Sequence, residues 1–191
     1  MLPDSPVIVT GLPRSGTSLV MRMLEAAGIP ALTDRQRTAD EDNPHGYFEI
    51  EAAKSPAAVA DLAVKAAGHC VKITIPQIRQ VPAALTARVI HVKRDLAEVI
   101  ASQSKMLART GRQPAAPAAV LIPAFQRLLA DAEKFLQSAA SFQVFTVDYR
   151  QLVEEPGASA TAMAAFLDKP DAGAAMAACI EPGLYRNRGE G

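Results

Sequence analysis

VIVTGLPRSGTSLVMRML, residues 7–24, decides how the rest of this 191-residue chain is read. Residues 7–10 are a short continuous apolar run, as a strand buried on both faces requires. Gly11 and Gly16 bracket four residues, and beyond them Leu19, Val20, Met23, Leu24 and Ala27 recur at helical spacing while Arg22 and Glu25 face outward. Gly28 and Pro30 end that helix. A strand, a glycine-bracketed turn and a helix start make an anion cradle. The N–H groups of Arg14 to Ser18 would surround the anion, the helix dipole adds roughly half a positive charge, and the Thr17 and Ser18 hydroxyls add donors. A loop for nucleoside triphosphates carries Lys directly after its second glycine. Here Thr17 holds that place, and the only nearby cation is Arg14, inside the loop.

The composition bounds what such a cradle can serve. Lys and Arg together number 20, as do Asp and Glu, so no global field draws in nucleic acid or an anionic membrane, and any anion site must be built locally. The chain is 49% apolar without Trp, long enough for a real core. Residues 1–191 are expected to form a single domain. Cys70 and Cys179 are too few and too far apart for a disulfide framework or a zinc site, and fit buried thiols in a reducing cytoplasm. Asp4 precedes the first apolar stretch, Gly11 and Pro13 cut it short of a signal core, and AAPAAVLIPAF is broken by prolines. A soluble, cytoplasmic protein is the expectation, with neither membrane nor nucleic acid as partner.

Further along, TDRQRTADEDNPHGY reads as a long loop, of the kind more often functional than idle. Residues 49–67 are rich in alanine and are expected to be helical up to Gly68, with Glu49 at the helix start. HCVKITI (69–75) alternates and carries β-branched residues, and a further strand runs over about 88–92. A helix follows at 95–108, a linker in RTGRQPAAP, a long helix at 118–139 and a fourth strand in FQVFTVDY. There is no internal repeat. Strands separated by helices imply right-handed crossovers and an α/β fold with a central, mostly parallel sheet. Ligands in such sheets sit beyond the carboxyl ends of the strands. The Gly11 turn, Thr74, Arg94 and Tyr149 all fall there.

GLPRSGTS resembles the 5′-phosphosulfate loop of the PAPS-dependent sulfotransferases, bacterial-type members included, which usually carry [KR]-S-G-T-[ST] there. KRDLAEVIASQS resembles the family's 3′-phosphate motif, an Arg followed eight residues later by Ser. Arg94 and Ser102 stand within about 80° on a helical wheel. The resemblance implies a three-layer α/β/α P-loop domain. It implies 3′-phosphoadenosine 5′-phosphosulfate (PAPS) as donor and the 3′,5′-bisphosphate PAP as product, with no metal. Arg14, Ser15, Gly16, Thr17 and Ser18 would hold the 5′ end, and Arg94 with Ser102 the 3′-phosphate. Arg presents a rigid fork suited to phosphate. Read alone, Arg94 would instead pair with Glu98 on a solvated helix face, worth a few tenths of a kcal/mol. VDYRQLVEEP resembles the family segment with Tyr, an acidic or polar pair, Leu and a later Pro. Tyr149 then borders the adenine, or is a buried aromatic at a strand end. YRNRG resembles the basic segment that closes over the 3′-phosphate, through Arg186 and Arg188, or is a frayed terminus.

The missing lysine then has a chemical reason. A sulfuryl group in transfer bears less negative charge than a γ-phosphoryl group, so Mg²⁺ and a loop Lys are less needed. A guanidinium and backbone donors can stabilise the charge growing on the leaving phosphate oxygen. Transfer to a hydroxyl or amine also needs a base. Many cytosolic members of the resembled family use His in K-x-H-x-P, but KITIP has Thr74 there, which cannot serve. NPHGYFE resembles a segment of bacterial members and offers either Glu49 or His45, while His69 lies at the wrong end of its strand. The acceptor, a small molecule, saccharide or peptide, would lie between residues 32–55 and 105–123. Two other functions stay open. A kinase or NTPase would hold Mg²⁺ with Thr17 or Ser18 and Asp148 or Asp95. A non-catalytic PAP-binding protein is favoured by the missing His and by a chain shorter than many relatives.

Overall fold

The computed structural model describes residues 5–34, 36, 46–50, 55–181 and 183. Strand β1 (Val7–Gly11) is buried along its whole length, because a layer of helices covers each of its faces. It lies between β2 (Cys70–Lys72) and β3 (Ala87–Lys93), and β4 (Phe142–Asp148) joins the far side of β3. Every pairing is parallel: Val7 stands beside Cys70 and Arg88, and Ala87 beside Phe142. Parallel neighbours need crossovers. These are supplied by α1 (Thr17–Ala26) and α2 (Pro56–Lys65), by α3 (Ile75–Ile78), and by α4 (Leu96–Arg109) with α5 (Ala118–Ser138). After β4 come α6 (Tyr149–Glu154), α7 (Pro156–Phe166), a 3-10 turn (Pro170–Ala172) and α8 (Gly173–Ala177).

The alternation of the strands sorts these helices into two layers. Val7, Val9, Ile90, Val92 and Val147 meet Met21, Met23, Leu24, Leu152, Met163 and Met176 from α1, α6, α7 and α8. Ile8, Val71 and Val89 point the other way, onto Val59, Ile75, Ile78, Val99 and Leu136 from α2 to α5. Each such side chain contributes about 1.5–3 kcal/mol when fully buried, so the two cores fix the sheet tightly. The three-layer α/β/α arrangement is the one expected.

The strand order also locates the site. From β1 the chain crosses to β2 on one side, then returns to β3 on the other, so the order reverses at the β1–β3 crevice. Ligands in open parallel sheets sit beyond the carboxyl ends of the strands at such a point. Gly11 ends β1 there, and Arg94 follows β3.

Four local expectations are corrected. The 49–67 helix begins only at Pro56: Ser55 is its N-cap, accepting from the Ala58 N–H at 3.1 Å, and residues 46–50 are not helical. The strand expected over 69–75 stops at Lys72, because Thr74 is the N-cap of α3 and Pro76 lies in its first turn. Tyr149 opens α6 rather than ending β4, and Cys179 is only half-buried.

Candidate functional site

The glycine-bracketed turn is held by backbone geometry that few residues tolerate. Gly16, the residue before α1, has φ 102°, and a Cβ there would fall 2.2 Å from Cδ2 of Tyr149. A Cβ on Gly11 would lie 2.4 Å from the Ser15 hydroxyl and 2.8 Å from the Val92 carbonyl. Between them Arg14 takes φ 76°, a left-handed conformation that costs a non-glycine residue about 1–3 kcal/mol. Such strain persists where surrounding contacts over-determine it. Here the Ser15 N–H donates to the Leu12 carbonyl at 3.0 Å and Gln103 Nε2 to the Pro13 carbonyl at 3.2 Å. The Ser15 hydroxyl is buried in this turn with no partner among the described residues.

The second group of candidates meets the turn directly. Arg94 Nη1 donates to the Arg14 carbonyl at 3.1 Å, and Arg14 Nε donates to the Ser102 hydroxyl at 3.1 Å. Thus the loop cation touches the helix serine, and the strand-end arginine touches the loop. The Arg94 guanidinium also lies over the Tyr149 ring, 4.6 Å from its centroid. Burial pushes the Tyr149 phenol above its ordinary range, opposed by Arg94 and Arg14 and reinforced by Glu98, so the ring presents a neutral hydroxyl. Arg94 does pair with Glu98, Nε to Oε2 at 3.0 Å, but not on a solvated face: the two side chains are 8% and 2% exposed. Glu98 Oε1 takes Arg150 Nη2 at 3.1 Å.

A third group was only partly foreseen. Lys72, at the end of β2, has a 5% exposed side chain, and its ammonium donates to Glu49 Oε1 at 3.0 Å. It also donates to the Tyr47 carbonyl at 2.9 Å and the Ser18 hydroxyl at 3.4 Å. Arg14 is therefore not the only cation at the loop. Glu49 lies near the turn, but not at a helix start; its place is fixed by Lys72 and by the Thr33 hydroxyl on its backbone carbonyl at 3.2 Å. The counter-charge comes from a lysine, not from a helix dipole. His45, Arg186 and Arg188 lie outside the described residues.

The remaining candidates have other partners. The Thr74 hydroxyl donates to the Gln77 side-chain oxygen at 3.1 Å. His69 meets the Ala67 carbonyl at 2.9 Å, at the amino end of β2. Asp95 caps α4, accepting from the Glu98 N–H at 3.1 Å, and Asp148 caps α6, accepting from the Gln151 N–H at 2.9 Å. The residues that sequence reasoning missed are Lys72, Glu98 as a buried group, and Arg150. Lys72 was within view in KITIP, as the first residue of the motif whose third position drew attention.

A family model described as the sulfotransferase family matches residues 77–172. Its span holds Arg94, Ser102 and Tyr149, while the turn at Gly11 precedes it. Among solved structures, sulfotransferase STF9 from Mycobacterium avium aligns with 91% of this chain and 67% of its own, at TM-score 0.54 and 13% identity, a likeness of fold. The sulfotransferase domain from the curacin biosynthetic pathway aligns at TM-score 0.48 and 18% identity, over 96% of this chain and 77% of its own. An unliganded sugar kinase from Janibacter sp. gives 0.44 and 15%, over 89% and 98%. No curated protein matches the sequence. With the model spanning half of its length, this chain belongs to the sulfotransferase family.

Proposed function

We propose that the protein transfers a sulfuryl group from PAPS to a hydroxyl or amine on a small-molecule, saccharide or peptide acceptor. The observation that carries this reading is that Arg94 and Ser102 each meet Arg14, at 3.1 Å in both cases. Two candidate anion sites, far apart in sequence, converge on one turn. The residues suit a nucleotide with an anion at each end. There is a turn with no room for a Cβ at Gly11 or Gly16, a buried serine hydroxyl with no partner among the described residues, two guanidiniums and an aromatic ring beneath one of them.

Bound PAPS would supply the activated sulfuryl group; the chain binds, orients and moves a proton. The N–H groups of residues 14–18 and the Arg14 guanidinium stabilise charge growing on the leaving phosphate oxygen, and losing such a donor costs about 3–4 kcal/mol of barrier. Ser15, Gly16, Thr17 and Ser18 line the 5′ end. Arg94 and Ser102 grip the 3′-phosphate, and Tyr149 borders the adenine. Glu49 takes the acceptor proton. Its counter-ion Lys72 also reaches Ser18, so the carboxylate lies two hydrogen bonds from the loop. The kinase reading loses ground because Asp95 and Asp148 each give an oxygen to a helix N–H. Among the described residues no helix is long and apolar enough to cross a membrane, and both cysteines are free thiols, in keeping with work in the cytoplasm.

The test is turnover. PAP release should be followed with PAPS and a panel of alcohols, phenols, amines and saccharides. Wild-type protein should release PAP with at least one acceptor, and Arg14→Ala should lose that activity while still binding PAP. Protein that binds PAP yet never consumes PAPS would be a binding module instead.

A further inference from the structure

We propose that Gln103 is a positioning residue of the anion loop, holding the Pro13–Arg14 peptide so that the Arg14 N–H faces the 5′ end of the nucleotide. The proposal rests on the reading of residues 14–18 as the cradle of that end. Its first support is the type of turn. The Ser15 N–H donates to the Leu12 carbonyl at 3.0 Å, closing a β-turn with Pro13 and Arg14 at its centre. Proline suits the first central position of types I and II alike, and the sign of φ at the second tells them apart. Arg14 has φ 76°, so the turn is type II. A residue other than glycine or asparagine favours type I there, and the two forms differ by a flip of the central peptide. A contact from outside the turn is needed to hold the disfavoured form.

The second support is that such a contact exists at the peptide that would flip. Gln103 Nε2 donates to the Pro13 carbonyl at 3.2 Å, from a half-buried place on α4 directly after Ser102. The Pro13–Arg14 peptide is trans, so its N–H points opposite to its carbonyl. With the carbonyl drawn to α4, the Arg14 N–H faces away from α4. A flip would exchange the two and turn an acceptor to where the anion needs a donor. The cradle carries its own mark of a ligand in the Ser15 hydroxyl, buried with no partner among the described residues. Arg94 Nη1 holds the next carbonyl along, that of Arg14, at 3.1 Å. The segment that meets one end of the nucleotide thereby sets the loop for the other.

The experiment is calorimetric titration of PAP and of 3′-AMP, which lacks the 5′-phosphate, against wild type, Gln103→Met and Gln103→Lys. Methionine keeps the length without a donor, and lysine keeps a donor. Gln103→Met should weaken PAP by about three- to tenfold, the worth of one hydrogen bond in the population of the competent turn, while 3′-AMP changes by less than about twofold. Gln103→Lys should bring the ratio of PAP to 3′-AMP affinity back to within about twofold of wild type. An unchanged ratio in Gln103→Met overturns the proposal and leaves the loop reading in place. So does a ratio that falls equally in Gln103→Lys, since the donor is then not what matters. A wild type that binds 3′-AMP as tightly as PAP removes the loop reading itself, and the proposal with it.

Discussion

Arg94 carries three contacts at once, which makes its replacement by lysine informative. Its Nε meets Glu98 at 3.0 Å, its Nη1 meets the Arg14 carbonyl at 3.1 Å, and its plane lies 4.6 Å from the Tyr149 ring centroid. A lysine keeps the charge but has a single head, which cannot pair with Glu98, hold the loop and present donors to a phosphate together. One charge-assisted hydrogen bond is worth about 1.5–3 kcal/mol, so Arg94→Lys should weaken PAP by about 10- to 150-fold. AMP should change by about twofold at most, since it lacks the group that Arg94 grips. Arg94→Ala should go further, because it also leaves one oxygen of a 2% exposed carboxylate without its partner. Arg150 remains on the other oxygen, so the folding cost should stay at about 1–3 kcal/mol, visible in urea unfolding. Calorimetry with the two nucleotides, beside urea curves for each variant, reads both quantities. Arg94→Lys protein that binds PAP as tightly as wild type, or that loses AMP and PAP in equal measure, would refute the reasoning.

Other consequences follow from neighbouring groups. Glu49→Gln keeps an acceptor for Lys72 but no base, so PAP binding should persist while kcat falls by about 10²–10⁴-fold; undiminished turnover would transfer the role to His45 or elsewhere. Gly16→Ala sets a Cβ 2.2 Å from the Tyr149 ring at φ 102°, and should destabilise the fold by about 1–3 kcal/mol and abolish PAP binding. A variant of wild-type stability would mean that the turn is not held as described. Burial, aided by Lys93 and opposed by Glu133, pushes the His91 imidazole below its ordinary 6.5. As pH falls below about 6.5 the unfolded chain takes up that proton first, so the folded state should lose stability from there downward. His91→Asn should flatten that part of the urea-unfolding profile, and an identical slope in the variant would show that other groups set it.

What the sequence revealed is what is local. The β1–turn–α1 unit was legible because strand, glycines and helix lie within two dozen consecutive residues. The Arg94–Ser102 couple was legible because both stand on one run of chain. Its contact with Arg14 spans 88 positions and exists only once β1 and β3 are neighbours in the sheet. Glu98 looked like a solvated partner because helical spacing gives the direction of a side chain, not what covers it; Tyr149 and Arg150 come from a segment 52 positions away. Alanine content at 49–67 suggested one helix, and the Ser55–Pro56 start signal was overlooked. With the helix start moved, Glu49 owes its place to Lys72 in a different strand end, a pairing that only the crossover from β1 to β2 creates.

A single titration tests the central claim most directly: PAP, AMP and ATP with Mg²⁺, each against the wild-type protein, the first two without metal. Two anion sites on one turn predict that PAP binds without Mg²⁺ and at least tenfold more tightly than AMP, with ATP–Mg²⁺ weak. Tight ATP–Mg²⁺ binding beside weak PAP would contradict it and make the Gly11 turn the loop of a kinase.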